Sequence, residues 1–413
     1  MVALRQAVCL AASRDPAASS SLQLREISHI LAPKEFARIL RSELVSLLQS
    51  GCSRDRASRI RALALLSLYA EGDEGAEEAS LCLAQAIHLA HTVGIHLGRA
   101  HADRQSKDLD NLFWSLWSLD KLNAAMHGRP QMMNERDVGL KLEDAYKSNE
   151  PAFCIWLKLS ELLAKVVRLY SPTAGPEDTE WADSLVSFEE VVEEHQGWGV
   201  EPDLLTSLEI YYHALAVLSC RTRSVKDVIL SGPSHLRRTV SVTQIVALAS
   251  HATHGLVPLP MIPWAVSLCL SVSYQQFRTS KQAIKKELAK EQLERCVTLL
   301  EGMANVWWSA RQSAKVGRKV LQEIGKMVRT QPNVRVEISR MTPSEISEQS
   351  QRIEAATHVS LNAENQPYDN NSVFDHMDSL FENFMDINLP ADFTLPLLGE
   401  KEELNSASGR YER

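Results

Sequence analysis

Four histidines, His88, His91, His96 and His101, are the first residues in this chain whose types and spacing could do chemistry. A helix would bring His88 and His91, three apart, onto one face, and imidazole nitrogens bind zinc and other transition metals. No H-E-x-x-H carboxylate pattern accompanies them, however. Histidines near a helix C-terminus are also favoured by the macrodipole and by capping, so a structural role is expected and no metal ligand is assigned. Seven cysteines (9, 52, 82, 154, 220, 269 and 296) form an odd, scattered set without a C-x-x-C pair. They support neither a disulfide framework nor a cysteine zinc site, and they fit a reducing compartment. Gly197-Trp198-Gly199 lacks the third glycine and helix start of a dinucleotide loop, no Gly-Lys-Ser/Thr is present, and no G-x-S-x-G elbow occurs. Asn370-Asn371-Ser372 matches a glycosylation acceptor, idle without a secretory signal, which the short apolar patch Val8–Ala12 between Arg5 and Arg14 does not supply. The expectation is therefore no enzyme, no cofactor and no metal.

The elements that position these residues read as helices almost throughout. Leu109, Leu112, Phe113, Leu116, Trp117, Leu119, Leu122 and Met126 recur at three and four, and Gly128 and Pro130 close that run. Residues 153–170 repeat the pattern. Further helices are expected at about 34–50, 183–195, 203–230, 240–254, 262–279, 281–308 and 312–329. Segments 57–70 and 77–93, apolar nearly all round through residues such as Leu63, Leu66, Leu81, Leu83 and Ile87, read as central helices joined by the loop Glu71–Gly75. The fold class is all-α: a multi-helix bundle over 1–330. Residues 331–367, rich in Ser, Thr, Glu, Gln and Asn, are expected to be a disordered polar linker. Residues 368–413 then interleave Phe374, Met377, Leu380, Phe381, Phe384 and Met385 with Asp375, Asp378, Glu382 and Asp386, an amphipathic acidic segment able to fold into a partner groove or, alternatively, to pack as a terminal helix on its own body.

Charge placement says more than charge balance. The chain carries 44 Lys and Arg against 52 Asp and Glu in 413 residues, a net −8 that argues against direct phosphate binding. Residues 177–203 hold −10, which reads as a solvated face, and 368–413 hold −7, whereas 278–329 hold +7, a surface that could receive the acidic tail within the same chain. Arg54–Arg61 and Lys285–Lys290 read as solvated helix faces. The uncharged stretch 239–277 is interrupted by Pro258, Pro260 and Pro263, so it reads as two buried helices joined at Gly255–Pro263 rather than a membrane span.

Four pieces in order carry a family likeness: Arg61-Ala-Leu-Ala-Leu-Leu-Ser-Leu-Tyr69, Gln85-Ala-Ile-His-Leu-Ala-His-Thr-Val-Gly-Ile-His96, Leu112-Phe-Trp-Ser-Leu-Trp-Ser-Leu-Asp120, and Gly128-Arg-Pro130 with Asp137 in the exit. Residues 57–140 thereby resemble the regulatory middle homology domain of fungal zinc-cluster transcription factors, with a weaker likeness over Leu256–Arg278. The motif residues are Phe113, Trp114, Asp120, Gly128, Arg129 and Pro130. Asp120 could be a catalytic acid, but no base or nucleophile accompanies it; a clamp from its carboxylate to the Arg129 turn, with Lys121 beside it, is the expectation. The resemblance implies a nuclear regulator of transcription, with coactivators or related zinc-cluster regulators as partners and a possible homo- or heterodimer. Separately, the uncharged region 239–277 could line a small-molecule pocket, either in an α-helical enzyme, for which no recognisable catalytic set is present, or for sensing a small-molecule effector. The family's six-cysteine, two-zinc DNA reader does not occur in these 413 residues, so zinc and DNA binding enter at family level only. A module that binds and sequesters a full-length relative is the alternative.

Overall fold

A computed structural model describes residues 2–330 apart from 26, 28, 51–54, 99–103, 172–184, 221–232 and 252–254, together with Asp378 and Phe381. Every regular element among the described residues is helical. The α-helices are α1 (Val2–Ala12), α2 (Pro33–Gln49), α3 (Arg56–Leu66), α4 (Gly75–Val93), α5 (Arg104–His127), α6 (Leu142–Ser148), α7 (Pro151–Leu169), α8 (Phe188–Glu194), α9 (Pro202–Ser219), α10 (Pro233–His251), α11 (Met261–Thr279), α12 (Ala283–Met303) and α13 (Trp308–Thr330). None is long and apolar enough to cross a membrane.

Local chemistry sets many of the boundaries. Pro33, Pro151 and Pro202 open α2, α7 and α9, where a missing N–H costs nothing. Ser187 and Glu190 form a reciprocal capping box on α8. Helix α4 ends on Gly94 at φ +82, whose N–H returns to the carbonyls of Ala90 and His91. Part of the acidic run 177–203 is used in the same way. Glu190 closes the α8 box, Glu201 accepts the Leu204 N–H at the start of α9, and Glu193 accepts the indole N–H of Trp198.

Two apolar cores result. The N-terminal one gathers α1 to α4, the first half of α5 and α6 around Leu44, Ile60, Ile87, Phe113 and Leu116. The second gathers α7 to α13 with the last turns of α5, around Leu163, Tyr211, Tyr274 and Leu300. Helix α11 runs through its centre, buried from Met261 to Gln275 and packed against α9, α10, α12 and α13. Its serines carry little penalty there: Ser267, Ser271 and Ser273 each donate to the carbonyl four residues back, and Ser267 also meets Ser313. Gly317 lets α13 lie close, since a Cβ there would stand 2.5 Å from Val297 and 3.1 Å from Leu270.

Of the two buried helices expected around the uncharged turn, α11 is buried, whereas α10 buries one face, through Val242, Ile245, Val246 and Ala249, and exposes Leu236 and Val240. Other boundaries differ. Helix α4 is not central: Leu81 is 55% exposed, and only the face Gly75, Ala79, Leu83, Ala86, Ile87, Ala90 is buried. The run expected at 281–308 stops at Met303, where the Arg311 guanidinium donates twice to the Ala304 carbonyl (3.1 and 2.8 Å) and fixes a turn before α13. Helix α3 ends at Leu66 rather than 70, its terminal Ser67 hydroxyl turned onto the Ala64 carbonyl. Helix α1, read only as an apolar patch, packs on α2 and α3 through Ala3, Ala7 and Leu10.

Candidate functional site

The family-like corner is built at the C-terminal half of α5. Phe113, Trp114, Leu116 and Trp117 seat this helix in the N-terminal core, with Trp114 edge-on to Phe113 (5.1 Å) and to Trp117 (5.6 Å). After His127 the chain turns at Gly128, φ +60, a left-handed conformation that a side chain would oppose. It then folds back so that residues 132–133 lie against α5. Asp120, 2% exposed, accepts the N–H groups of Met132 (3.0 Å) and Met133 (3.0 Å). Lys121, also buried, donates to the Met133 carbonyl (3.0 Å), lies 3.4 Å from the Asp120 carboxylate and sits 5.3 Å from the Trp117 ring. Adjacent side chains on α5 thus hold both the N–H and the carbonyl of one residue, Met133. Burial draws the Lys121 ammonium below the usual lysine range, and Asp120 opposes that shift.

This corrects the expected clamp. The partner of Asp120 is the backbone of Met132 and Met133 with Lys121, and Arg129 is exposed and makes no ion pair among the described residues. Sequence reading underrated Lys121, because a lysine beside an aspartate on a helix normally points elsewhere. Pro130 is likewise exposed. Among the described residues, which include His88, His91 and His96, there is no cluster of His, Cys, Asp and Glu that could hold an ion. His91 and His96 pack edge-on at 4.8 Å, His88 is exposed, and His101 lies outside the described residues. The loop that follows is fixed by Gly139, whose N–H donates to the His96 carbonyl (2.9 Å); a Cβ there would stand 2.4 Å from the Leu97 oxygen.

Where the two cores meet, Arg14 is stacked between Tyr69 (4.6 Å) and Trp307 (4.1 Å) and donates to the Leu68 carbonyl (2.7 Å). Burial lowers its pKa to about 10, so it remains charged. Glu71 joins the same seam through Lys34 (3.2 Å) and Arg311 (3.5 Å). Beside it a cleft is lined by Ser67, Leu83, Asn123, His127, Pro260 and Trp307. The His127 imidazole takes no hydrogen bond among the described residues, and burial, with Arg129 nearby, pushes its pKa down to about 4. Of the uncharged stretch 239–277, expected to hold an effector, Pro260 alone lines this cleft.

The third arrangement joins residues far apart in the chain. Tyr274, fully buried on α11, stacks on Phe381 with ring centroids 4.2 Å apart and planes at 24°. Its hydroxyl donates to Asp378 (2.7 Å). Arg278, one turn further along α11, donates to both oxygens of the same carboxylate from Nε (3.1 Å) and Nη2 (3.0 Å). Asp378 and Phe381 both have helical backbone, and their spacing of three puts them on one face. Phe381 is completely buried and Asp378 is 3% exposed. Burial and the neighbouring carboxylate both raise the Tyr274 pKa well above that of an ordinary tyrosine, so its hydroxyl stays a donor. Arg278 belongs to the basic stretch proposed to receive the acidic tail, so one point of that expectation is seen directly. Of the six tail residues singled out, Phe381 is docked here, and Phe374, Met377, Leu380, Phe384 and Met385 lie outside the described residues. Tyr274 was not singled out from the sequence. The signal that could have found it is Arg278 itself, the first charge after 39 uncharged residues and one turn from a buried phenol.

Residues 7–198 match a family model described as the fungal specific transcription factor domain. No curated protein and no solved structure matches the chain. The match runs from within α1 to the turn after α8, so it contains the N-terminal core, the Gly94 and Gly128 turns and the Asp120–Lys121 corner, while α9 to α13 and the Tyr274–Arg278 dock lie beyond it. Over residues 7–198, just under half of its length, the chain is therefore similar to the fungal specific transcription factor domain.

Proposed function

We propose that this protein regulates transcription in the nucleus through a helical regulatory body and an acidic-aromatic activation segment at 368–413, with Phe374, Met377, Leu380, Phe381, Phe384 and Met385 contacting coactivators. DNA is reached through a partner or through a zinc-cluster module outside these residues. The observation that supports this most is the behaviour of Asp378 and Phe381, helical and on one face, with the aromatic ring as buried anchor and the carboxylate as its charged neighbour. That is how a short amphipathic segment engages a groove. The similarity to the fungal transcription factor domain supports the regulatory setting. The test tethers residues 368–413 to an unrelated DNA-binding module. Reporter activation is expected, with loss on Phe381→Ala/Phe384→Ala; activation undiminished by the double substitution would reject the assignment.

The seam cleft supports a second, compatible reading as an effector site, because it offers an unpartnered imidazole between two cores that a ligand could hold in one arrangement. A metabolite that raises the unfolding temperature of the wild-type chain and not of His127→Leu would support it. Equal shifts in both proteins would count against it.

A further inference from the structure

We propose that Tyr274 and Arg278 form a receptor for segments carrying Asp and Phe three residues apart, and that the chain's own Asp378 and Phe381 fill it, keeping Phe381 from any other partner until it leaves. The receptor half stands on geometry alone; the masking half rests on the activation reading above.

Three features make the site selective. The Tyr274 ring offers a flat apolar face that is fully buried once Phe381 stacks on it, so an aliphatic side chain would fill the place without the ring contact. The Tyr274 hydroxyl and the planar fork of Arg278 supply three donors aimed at one carboxylate, a match in shape as well as charge. The spacing is matched: Tyr274 and Arg278 are four apart on α11, and Asp378 and Phe381, each of helical backbone, are three apart in the chain, so each of the two pairs meets in one register. The own tail is the occupant because it is seated there and because −7 in 368–413 complements +7 in 278–329. Masking follows from exclusion. Phe381 is 0% exposed in the dock, and a ring enclosed by Tyr274 cannot enter a coactivator groove at the same time.

A segment tethered to its own site competes at an effective concentration of about 1 mM, so a free copy with a Kd near 0.1 mM would appear about tenfold weaker against the intact chain. The experiment uses a fluorescent peptide of residues 370–389 and the full chain. Weak binding is expected to wild type, about tenfold tighter binding to Asp378→Ala/Phe381→Ala, whose site is vacated, and loss of that gain when Arg278→Glu is added. Tyr274→Phe on the vacated background, which keeps the ring, should lie between. Unchanged unfolding midpoints qualify each variant, and Tyr274→Phe decides if Arg278→Glu fails to fold. Equal binding to wild type and vacated chain, or binding insensitive to both receptor substitutions, overturns the receptor. For masking, the full chain and the 368–413 fragment are each tethered at a reporter. Arg278→Ala should raise the full chain's output several-fold toward that of the fragment. An active fragment with an unmoved full chain overturns masking, and a silent fragment overturns the activation reading while leaving the peptide result to judge the receptor.

Discussion

Asp120 and Asp378 are both almost completely buried carboxylates, each answered by a cation and further donors, yet they do different work. Asp120 closes a turn 12 and 13 residues away, whereas Asp378 reaches 100 residues back to Arg278. Loop-closure entropy alone makes the longer connection costlier by about 2 kcal/mol, so the dock begins from a weaker position. The escape routes differ as well. Asp120 sits on a helix held in the core by Phe113, Trp114 and Trp117, so if its partners are lost its charge cannot return to water. A segment carrying Asp378 can leave with its charge. The first arrangement is built to hold a fold together, and the second to be held and released.

The largest expected effect breaks this comparison at its firm end. Asp120→Ala strands the Lys121 ammonium and leaves the N–H groups of Met132 and Met133 without their acceptor, which should cost about 3–5 kcal/mol. Urea unfolding of the full chain measures it. Adding Lys121→Met should recover part of the loss, since the stranded charge is then gone. Asp378→Ala should change the same midpoint by less than about 1 kcal/mol, because a released tail takes its desolvation cost with it. Equal losses at the two aspartates would show that the dock is part of the fold rather than an attachment to it.

Acid provides a second, somewhat smaller test on the same helix as Asp120. His127 is held neutral in the folded chain with its pKa lowered from about 6.5 to about 4, so protons bind the unfolded chain more readily. The stability this confers is complete above pH 6.5 and is lost as pH falls toward 4, amounting to about 2–3 kcal/mol. His127→Leu should flatten that part of the profile. A wild-type stability level across pH 4–6.5 would mean that the imidazole reaches water in the folded chain.

How much of this was legible in the sequence follows the same division. Helices with three-and-four periodicity were readable along α5, α7 and α11, because one face of each, or all of it, is buried. The Gly128 turn was readable because left-handed backbone selects glycine. What failed was whatever depended on tertiary geometry. The α12–α13 break was expected after 308 and falls after Met303, where Arg311 reaches back to Ala304, and Asp120 chose backbone amides over the nearby Arg129 because the chain after Pro130 doubles back. The tail's aromatic spacing and the opposite charge of 278–329 gave the direction of the dock. The buried phenol that selects Asp378 had no local signature, since a tyrosine in an apolar helix looks like core until its partner arrives.

The smallest expected effect separates the two halves of the dock. Tyr274→Phe keeps the stacked ring and removes one hydrogen bond to a carboxylate, a loss of about 1.5 kcal/mol, which multiplies the undocked fraction by roughly ten. Global unfolding should barely move, because the ring still fills its place in the second core. Amide exchange around Phe381 should accelerate by about that factor while exchange in α11 stays slow. Acceleration in both would mean that the tail completes the core and that docking and folding are one event. Acceleration confined to the tail would give Tyr274 and Asp378 the character of a catch, set on a core that is already stable without it.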